Sequence, residues 1–478
     1  MNLQEKPQRE RTLAPELLAR FAAIVGGKYA IADPQMQKSY LVEMRDLYKG
    51  HTPLVLRPGS VAEVAAIVKL ANETQTAIVP QGGNTGLVGG QIPHHGEIVL
   101  SLTRLDKIRD VDPVSSTMTV EAGVTLQRAR EAAANADRLY PQLLPSEGTC
   151  TIGGNLSTNA GGVAAIAHGI ARSHALGLEV VLADGRVLNN LNKLKKDNTG
   201  YDLKDLFIGS EGTLGIITAA VLRLVPRPRS VETALAGVPS PQAGVELLNI
   251  AIERSAGGVT SCELMVRSGI EAVIKYDANS RDPLAAPHPW YILLELSSQA
   301  RAGLRGVMEE ILAEGLKRGI VEDAAIADSL EQAKSFWRMR EMFGEVQRQV
   351  GASIKHDVSV PVAAVPAFIE EANAAVTKLI PGSRPLPFGH IGDGNIHYNV
   401  MQPAAADREK FLARWDEVNA VVFAVVKRLG GSISAEHGVG VMKRDILPLY
   451  KDPVALDLMR ALKRTLDPNN ILNPGKVL

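Results

Sequence analysis

The sequence is poor in the features that would place it quickly in a functional class. Only two of its 478 residues are cysteine, Cys150 and Cys262, and they stand far apart. Neither a disulfide framework nor a thiolate zinc motif is expected, and a reducing compartment, the cytoplasm, is the predicted location. Basic and acidic residues both number 52, so no general positive field exists to attract nucleic acid.

Long apolar runs are also lacking. No stretch of about 18 uncharged apolar residues occurs, so a membrane-spanning helix is not expected, while peripheral membrane contact stays open. The N-terminal residues are polar and mix acids with bases, which argues against a secretory signal. What the sequence does have is 45% hydrophobic residues, enough for a sizeable interior. Its length suggests about three domains.

Local patterns predict two differently built halves. A strand from Leu54, a helix capped by Ser60 and Glu63, and a strand at 77–80 form a βαβ unit. Asp184-Gly185 predicts a hairpin turn. After the proline punctuation at 226–229, strands such as 290–296 alternate with helices such as 301–319, which indicates a second α+β domain. A further hairpin is predicted at 387–401.

Three glycine-rich loops lie in the first half, at 79–90, 145–162 and 209–215. Successive N–H groups of such loops form a concave nest for anions, and Asn84 and Thr85 add side-chain donors. The first loop is neither a Walker loop, which needs Lys-Ser/Thr, nor a GxGxxG dinucleotide loop. Each loop alone could be a loose surface turn, but three of them favour a phosphate-containing cofactor.

In their order and in their amino-acid sequences, the three loops resemble the FAD-binding domain of the vanillyl-alcohol-oxidase type. The resemblance implies that the first loop surrounds the pyrophosphate, the second lines the ribityl chain and isoalloxazine, and the third closes over the flavin. It implies FAD contacts from Pro80, Gly82, Gly83, Asn84, Thr85, Gly86, Leu87, Pro145, Gly148, Thr149, Gly153, Gly154, Asn155, Thr158, Glu211, Gly212 and Ile217. Non-covalent FAD is expected. A covalent link through Cys150 is the alternative, but a small buried cysteine is the commoner case.

A second group of motifs carries ionisable side chains. His390 and His397 flank a tight Gly-Asp-Gly-Asn turn in a predicted hairpin, which would bring the two imidazoles together. Imidazole suits zinc, manganese or iron, and Glu436 is the natural third ligand. A lone histidine is more often a satisfied core residue than a ligand. Since these two and His437 lie in two short glycine-flanked motifs, we predict a divalent metal site, with zinc as first choice.

These motifs resemble the C-terminal half of the flavin-linked D-2-hydroxyacid dehydrogenases, the group of D-2-hydroxyglutarate dehydrogenase, D-lactate dehydrogenase and the glycolate oxidase catalytic subunit. Residues 196–202 and 471–476 also match that group. The resemblance implies that His437 is the catalytic base, that Asn395 contacts substrate, and that Arg340 and Lys355 bind the substrate carboxylate. Solvated surface cations are the alternative for the last two.

The fold class implied by both resemblances is α+β. It comprises an N-terminal helical segment (1–44), a vanillyl-alcohol-oxidase type FAD-binding domain (45–228), an α+β, ferredoxin-like substrate domain (229–425) and a small helical C-terminal segment that completes the active site (426–478).

The implied activity is metal-assisted oxidation of a D-2-hydroxy acid, D-lactate or D-2-hydroxyglutarate, by hydride transfer to FAD. Electrons would pass to a quinone or an electron-transfer flavoprotein, and a homodimer is compatible with the sequence. One departure is Gly344, four residues after Arg340, where D-2-hydroxyglutarate enzymes tend to carry threonine. Recognition of a second carboxylate is therefore open.

Alternative functions are a flavoprotein electron-transfer subunit, a glycolate-oxidase-type subunit of a complex, and an oxygen-using sugar-alcohol oxidase. The paired histidine and glutamate motifs argue against the last of these.

Overall fold

The structure is a computed structural model that describes residues 13–478. Its strands are β1 (Ala30–Ile31), β2 (Val55–Leu56), β3 (Ile78–Gln81), β4 (Ile98–Ser101), β5 (Ile108–Asp112), β6 (Thr117–Glu121), β7 (Arg138–Leu139), β8 (Ala175–Val181), β9 (Val187–Asn190), β10 (Ile216–Arg223), β11 (Val225–Pro226), β12 (Ser230–Val238), β13 (Val259–Val266), β14 (Trp290–Ser298), β15 (Asp323–Ile326), β16 (Ser353–Ser359), β17 (Arg384–His390) and β18 (Asn395–Met401). Its helices are α1 (Pro15–Val25), α2 (Pro34–Leu41), α3 (Val61–Thr74), α4 (Leu126–Asn135), α5 (Ile152–Thr158), α6 (Ala165–His168), α7 (Ala171–His174), α8 (Lys204–Phe207), α9 (Pro241–Arg254), α10 (Arg267–Tyr276), α11 (Leu304–Lys317), α12 (Leu330–Val350), α13 (Val365–Leu379), α14 (Arg408–Leu412), α15 (Trp415–Arg428), α16 (Leu447–Tyr450) and α17 (Pro453–Leu466).

The described residues form two compact units. Unit 1 comprises the residues up to Ala160 together with Ile170–Pro226 and His437–Leu478, and unit 2 comprises Gly161–Gly169 and Arg227–Glu436. The four predicted segments stay a prediction, and the first of them includes residues 1–12, which lie outside the described residues. Among residues 13–478, no helix combines the length and the apolar character needed to cross a membrane.

Unit 1 contains a four-stranded sheet of order β1-β2-β4-β3 and a five-stranded antiparallel sheet of order β5-β6-β10-β8-β9. The predicted βαβ unit is confirmed, since β2 and β3 both run parallel to β4 and α3 connects them. The Ser60 hydroxyl accepts the Glu63 N–H at 3.2 Å and so begins α3. The Glu63 carboxylate accepts from Gly59 rather than from Ser60. The hairpin predicted at Asp184-Gly185 is formed by β8 and β9.

The C-terminal segment completes unit 1. Ile78 on β3 donates its N–H to the Ile471 carbonyl at 2.8 Å and accepts the N–H of Asn473 at 2.8 Å. Farther along, the Lys476 ammonium lies 3.0 Å from the Glu97 carboxylate, and both side chains are almost completely buried. The last residues of the sequence thus extend a sheet that its first hundred residues begin.

Unit 2 is built on one seven-stranded antiparallel sheet of order β15-β12-β14-β13-β17-β18-β16. Strands β12 to β15 with α9 and α11 follow the βαββαβ order of a ferredoxin-like fold, with α10 added between β13 and β14. Strands β16 to β18 with α13 and α15 repeat most of this order from the other edge, and the two halves meet where β13 pairs with β17. No internal repeat is visible in the sequence.

The hairpin predicted at 387–401 is confirmed by the pairing of β17 with β18. Its turn requires glycine at Gly394, which has a φ of +79°. A Cβ atom at this position would also lie 1.9 Å from the carbonyl oxygen of Val360. The turn therefore fixes which residues of the two strands face each other.

Candidate active site

The three glycine loops of unit 1 meet at points where glycine is required. A Cβ atom on Gly83, in the first loop, would lie 1.9 Å from the carbonyl oxygen of Thr149 in the second. Gly212, in the third loop, has a φ of +71°, and its Cβ would lie 2.5 Å from Cγ of Pro80 in the first. Larger side chains would push the loops apart. The glycines therefore gather three stretches of backbone, as an extended phosphate-containing cofactor requires.

Glu211 joins the third loop to the second loop and to the C-terminal segment. Its N–H donates to the carbonyl of Ser157 at 2.8 Å. Its two carboxylate oxygens accept the N–H groups of Val439 at 2.7 Å and Gly440 at 2.9 Å, and its carbonyl accepts the Asn473 amide at 2.8 Å. Burial raises the pKa of the Glu211 carboxyl, while the N–H donors act in the opposite direction. The side chain of this predicted FAD contact is thus engaged within unit 1.

The predicted cofactor residues Asn84 and Asn155 also have protein partners. The Asn84 amide donates to the carbonyls of Ser39 and Val42, each at 2.9 Å, which leaves its backbone N–H for an anion. Cys150 is buried with the Asn155 amide 3.6 Å from its sulfur, and burial raises the pKa of the thiol. A protonated thiol supports non-covalent FAD. The remaining predicted FAD contacts lie in unit 1, namely Gly82, Thr85, Gly86, Leu87, Pro145, Gly148, Gly153, Gly154, Thr158 and Ile217.

In unit 2, the ionisable residues lie on one face of the sheet near the seam between its halves. We name this group the histidine–acid cluster, and it consists of His390, His397, Glu436, Glu263 and Asp357. Cα partners in an antiparallel pair direct their side chains to the same face. The register pairs Glu263 with His390 and Asp357 with His397. Because β17 and β18 are themselves paired, all four side chains share one face.

The three predicted metal ligands come together in this cluster. Nε2 of His390 and Nε2 of His397 each lie 3.9 Å from Oε2 of Glu436. One potential ligand atom from each residue lies within 4.8 Å of the other two. Oε1 of Glu436 accepts the N–H of Gly162 at 2.8 Å, so that Oε2 is the oxygen nearer to the imidazoles.

Glu263 is completely buried behind His390. Its Oε1 lies 2.7 Å from Nδ1 of His390, and its Oε2 accepts from Nε of Arg340 at 2.8 Å. Burial would raise the pKa of the Glu263 carboxyl, but the two cationic partners lower it to about 2. Burial would lower the pKa of His390, but Glu263 raises it to about 9. Glu263 is therefore ionised and holds His390 by Nδ1, which leaves Nε2 towards Glu436.

Asp357 supports the cluster from the opposite strand. Its Oδ2 accepts the N–H of Glu436 at 2.9 Å, and its Oδ1 lies 3.8 Å from Nδ1 of His397. Burial raises the pKa of Glu436 to about 7, and the carboxylates of Asp357 and Asp393 add to this effect while His390 opposes it. A bound cation would relieve the crowding of carboxylates. Two imidazole nitrogens, one carboxylate oxygen and this charge balance fit a divalent metal such as zinc.

The predicted substrate residue Arg340 lies on α12 and is largely buried, with its guanidinium 4.8 Å from the centre of the Phe388 ring. Among the described residues, only its Nε has a hydrogen-bond acceptor, so the Nη1 and Nη2 atoms are available to an oxyanion. Lys355 is half-buried on β16, two residues before Asp357 and on the same face. The alternative of a solvated surface cation does not describe Arg340.

The predicted substrate contact Asn395 is also buried beside the cluster. Its Nδ2 donates to Oδ1 of Asp357 and to the carbonyl of Val358, each at 3.0 Å. Its Oδ1 is buried and accepts no hydrogen bond from residues 13–478. Only the Oδ1 atom of Asn395 can therefore contact a ligand, and it can do so only as a hydrogen-bond acceptor. The Nδ2 atom holds Asp357 in place.

The predicted base His437 directly follows Glu436 in the chain and is the first residue of the C-terminal part of unit 1. Two and three residues later, the N–H groups of Val439 and Gly440 donate to Glu211. The turn that begins at His437 is therefore fixed by a residue of the third glycine loop.

Sequence reasoning missed Glu263 and Asp357. Glu263 is the single acid of β13, a strand whose other residues are apolar or small and mostly buried. A lone carboxylate in a buried strand was the signal, because it needs cationic partners. Asp357 lies two residues after Lys355, and strand alternation alone places both on one face.

Comparison with protein families gives two matches to this chain. Residues 227–477 match the family described as FAD linked oxidases, C-terminal domain, and residues 52–190 match the family described as FAD binding domain. The relative named D-2-hydroxyglutarate dehydrogenase from Xanthomonas citri pv. viticola is 38% identical over 91% of this chain and 91% of its own length. The D-2-hydroxyglutarate dehydrogenase, mitochondrial, of Arabidopsis thaliana is 37% identical over 96% of this chain and 80% of its own. The D-2-hydroxyglutarate–pyruvate transhydrogenase of Saccharomyces cerevisiae is 34% identical over 98% and 95%.

Among solved structures, p-cresol methylhydroxylase has a TM-score of 0.75 at 19% identity and covers 97% of this chain and 96% of its own. Alkyldihydroxyacetonephosphate synthase has a TM-score of 0.73 at 18% identity, with 99% and 87% covered. At these identities the likeness concerns the fold alone. It confirms the predicted α+β fold of the vanillyl-alcohol-oxidase type.

Proposed function

Because the chain belongs to the FAD-linked oxidase family and is an FAD-dependent D-2-hydroxyacid dehydrogenase, we propose that it oxidises D-lactate or D-2-hydroxyglutarate with the help of a divalent metal, zinc first, in the histidine–acid cluster. The observation that carries the metal proposal is the approach of His390, His397 and Glu436 within 4.8 Å. The buried Arg340 beside this site supports a substrate with a carboxylate.

The bound groups supply the chemistry that protein side chains lack. FAD, when bound, supplies the hydride acceptor, and a divalent metal supplies Lewis acidity towards the hydroxyl and carboxylate oxygens of the acid. In this proposal the three glycine loops bind FAD through backbone N–H groups, and His390, His397 and Glu436 hold the metal.

The side chains orient the acid and move one proton. Arg340 presents two free guanidinium nitrogens to the substrate carboxylate in a bidentate geometry, and Lys355 adds a second positive charge. Fixing the carboxylate and the hydroxyl determines whether the single hydrogen at C2 faces the flavin, so one enantiomer reacts. His437 takes the hydroxyl proton as general base, and Asn395 keeps Asp357 in place beneath His397.

A screen of flavin bleaching tests the proposal. The FAD- and zinc-loaded protein is mixed anaerobically with D- and L-lactate, glycolate, D- and L-2-hydroxyglutarate and malate. We expect bleaching by at least one D-2-hydroxy acid and none by its L-enantiomer. No bleaching by any of these acids would overturn the proposed substrate class, and full activity after chelation would overturn the metal.

Gly344 makes the choice between the two substrates testable. It lies on α12 one turn after Arg340, and a Cβ atom there would have no neighbour within 4 Å. Glycine at this position offers no side-chain donor to a second carboxylate, which favours D-lactate. Gly344→Thr should raise kcat/KM for D-2-hydroxyglutarate relative to D-lactate. An unchanged ratio would show that residue 344 does not determine which substrate is preferred.

For the electron acceptor we propose a quinone or an electron-transfer flavoprotein. Reoxidation of the substrate-reduced enzyme by each acceptor, and by pyruvate because of the yeast relative's name, would identify it. The cytoplasm remains the proposed location, and cell fractionation tests it against the mitochondrial location in the Arabidopsis relative's name.

A further inference from the structure

Glu263 occupies a place that the reaction proposed above does not assign. It lies in β13, at the seam where the two halves of the unit 2 sheet meet, with no exposed surface. A buried carboxylate is costly unless each of its oxygens has a strong partner. Its two oxygens are divided between two different functional side chains, His390 and Arg340.

We propose that Glu263 is the positioning residue that couples the metal site to the substrate-carboxylate site, with one oxygen directing His390 and the other directing Arg340. The inference rests on the proposed function for the roles of these two partners. It adds that metal affinity and substrate affinity depend on the same buried carboxylate.

The contact with His390 sets which ring nitrogen can bind a metal. Oε1 of Glu263 lies 2.7 Å from Nδ1 and holds a proton there, which leaves Nε2, 3.9 Å from Glu436, as the nitrogen that would bind a metal in place of its proton. A carboxylate behind a histidine also makes that histidine a better ligand. An amide has one oxygen for these two donors, so in Glu263→Gln an N–H₂ group would face one of them, and both contacts would lose the negative charge that strengthens them.

The contact with Arg340 sets the direction of its free edge. Nε donates to Oε2 of Glu263 at 2.8 Å, and the guanidinium plane lies near the ring of Phe388. Because Glu263 and Phe388 hold the guanidinium, its Nη1 and Nη2 atoms remain to bind a substrate carboxylate. Without Glu263 the guanidinium of Arg340 is no longer held in one orientation. Substrate binding must then order this side chain, which lowers the affinity for substrate.

The chain offers a matched control in Glu295, on the neighbouring strand β14. Glu295 lies on the same face of the sheet, because Glu263 pairs with Leu293 and side chains alternate along β14. Its carboxylate accepts from Nε1 of Trp337 at 2.8 Å and from the hydroxyls of Thr260 at 3.3 Å and Thr233 at 3.4 Å, and none of its partners among residues 13–478 is ionised. Glu295→Gln therefore makes the same chemical change in the same sheet without touching either functional partner.

The experiment compares Glu263→Gln, Glu263→Asp, Glu295→Gln and wild type, each loaded with FAD. Zinc affinity is measured by competition with a chromophoric chelator, and substrate affinity by the change in flavin absorbance and by separate kcat and KM values. We expect Glu263→Gln to weaken zinc by about 10- to 100-fold. At saturating zinc it should still raise KM by about 10-fold. Glu263→Asp, which keeps the charge but is shorter, should fall between, and Glu295→Gln should match wild type.

Each outcome bears on the proposal. Equal zinc affinity in Glu263→Gln and Glu295→Gln would overturn it, as would a loss of zinc binding with KM unchanged at saturating zinc, because the two sites would then be independent. If Glu263→Gln does not fold, Glu263→Asp carries the same comparison. A wild-type protein that binds zinc but bleaches with no 2-hydroxy acid would sink the proposed function, and the zinc measurements would still decide whether Glu263 directs His390.

Discussion

Two glutamates, one half-buried and one completely buried, show how differently the two units build their sites. In unit 1, Glu211 accepts backbone N–H groups from Val439 and Gly440, and burial raises the pKa of its carboxyl. In unit 2, Glu263 accepts from His390 and Arg340, and these cations lower the pKa of its carboxyl to about 2. Backbone N–H donors offset only part of the rise in carboxyl pKa that burial causes, whereas charged partners offset more than all of it.

The difference extends to the surroundings of each glutamate. In the three glycine loops, glycine allows the backbones to approach one another closely, so the function of these loops depends on the absence of larger side chains at those points. The histidine–acid cluster is made of ionisable side chains on a rigid sheet, so its function depends on charge and on ring nitrogens. Changes of volume should therefore damage unit 1, and changes of charge should damage unit 2.

The largest expected effect is on the cluster. His397→Ala removes one of the three proposed metal ligands, so metal content should collapse and flavin reduction by substrate should slow by about 100-fold or more. FAD should stay bound, because the loops lie in unit 1. Metal analysis and the flavin spectrum of the same sample check both halves of this prediction, and flavin lost together with the metal would show that FAD binding depends on the metal.

The reciprocal change is made in the loops. Gly83→Ala places a methyl group where its Cβ would lie 1.9 Å from a backbone oxygen of Thr149, so most of the FAD should be lost on purification. Zinc affinity should be close to that of wild type. Gly27→Ala is the control in unit 1, since a Cβ there meets nothing within 4 Å. Full flavin occupancy in Gly83→Ala would show that the two loops can separate without harm.

A charge change can still damage unit 1 where an ion pair is buried. Lys476→Met leaves the Glu97 carboxylate, which is 2% exposed, without its cation. Removing one partner of such a pair costs about 3–5 kcal/mol, which a denaturant titration should resolve. The double variant Lys476→Met, Glu97→Gln should recover part of the loss. If the single and double variants are equally unstable, the pair contributes through packing and not through charge.

The smallest effect concerns pH. The pKa of Glu211 is raised in the fold above its ordinary value of 4.5, so the fold binds the proton more tightly than the unfolded chain does. The stabilisation that follows is complete below pH 4.5 and is lost as the pH rises through the folded pKa. The melting temperature of wild type relative to Glu211→Gln should therefore increase as the pH is lowered from neutral towards 4.5. A constant difference would mean that the two N–H donors cancel the effect of burial.

Much of this architecture could be predicted from local pattern. The Ser60 cap, the βαβ unit and the hairpin around Gly394 depend on neighbouring residues, and motif spacing was enough to bring His390 and His397 together. Glu436 required a comparison of distant motifs. Glu263 could not be found in this way, because its partners His390 and Arg340 lie 127 and 77 residues away. The strand register joins it to His390, and Arg340 reaches it from α12.

Side-chain direction was the other limit. Asn84 and Asn395 were predicted to face ligands, and the structure directs their amide hydrogens to protein carbonyls and to Asp357. A sequence shows that a donor is present in a loop or strand, but not which acceptor it will reach. The C-terminal residues 471–476 were similarly recognised by motif, while their pairing with β3 was not.

That pairing has a consequence for biosynthesis. Ile78 is made early, yet its partners Ile471 and Asn473 leave the ribosome only after all of unit 2. At about 5–20 residues per second, translation from the end of β11 to Ile471 takes roughly 12–50 s. During that interval the nascent flavin-binding half has an unpaired strand edge and the buried acid Glu97 without its lysine. Unit 2, which contains only Gly161–Gly169 from upstream, is synthesised completely before unit 1 is, so the flavin-binding half can reach its final fold only at the end of synthesis, and its open strand edge is accessible to other strands until then.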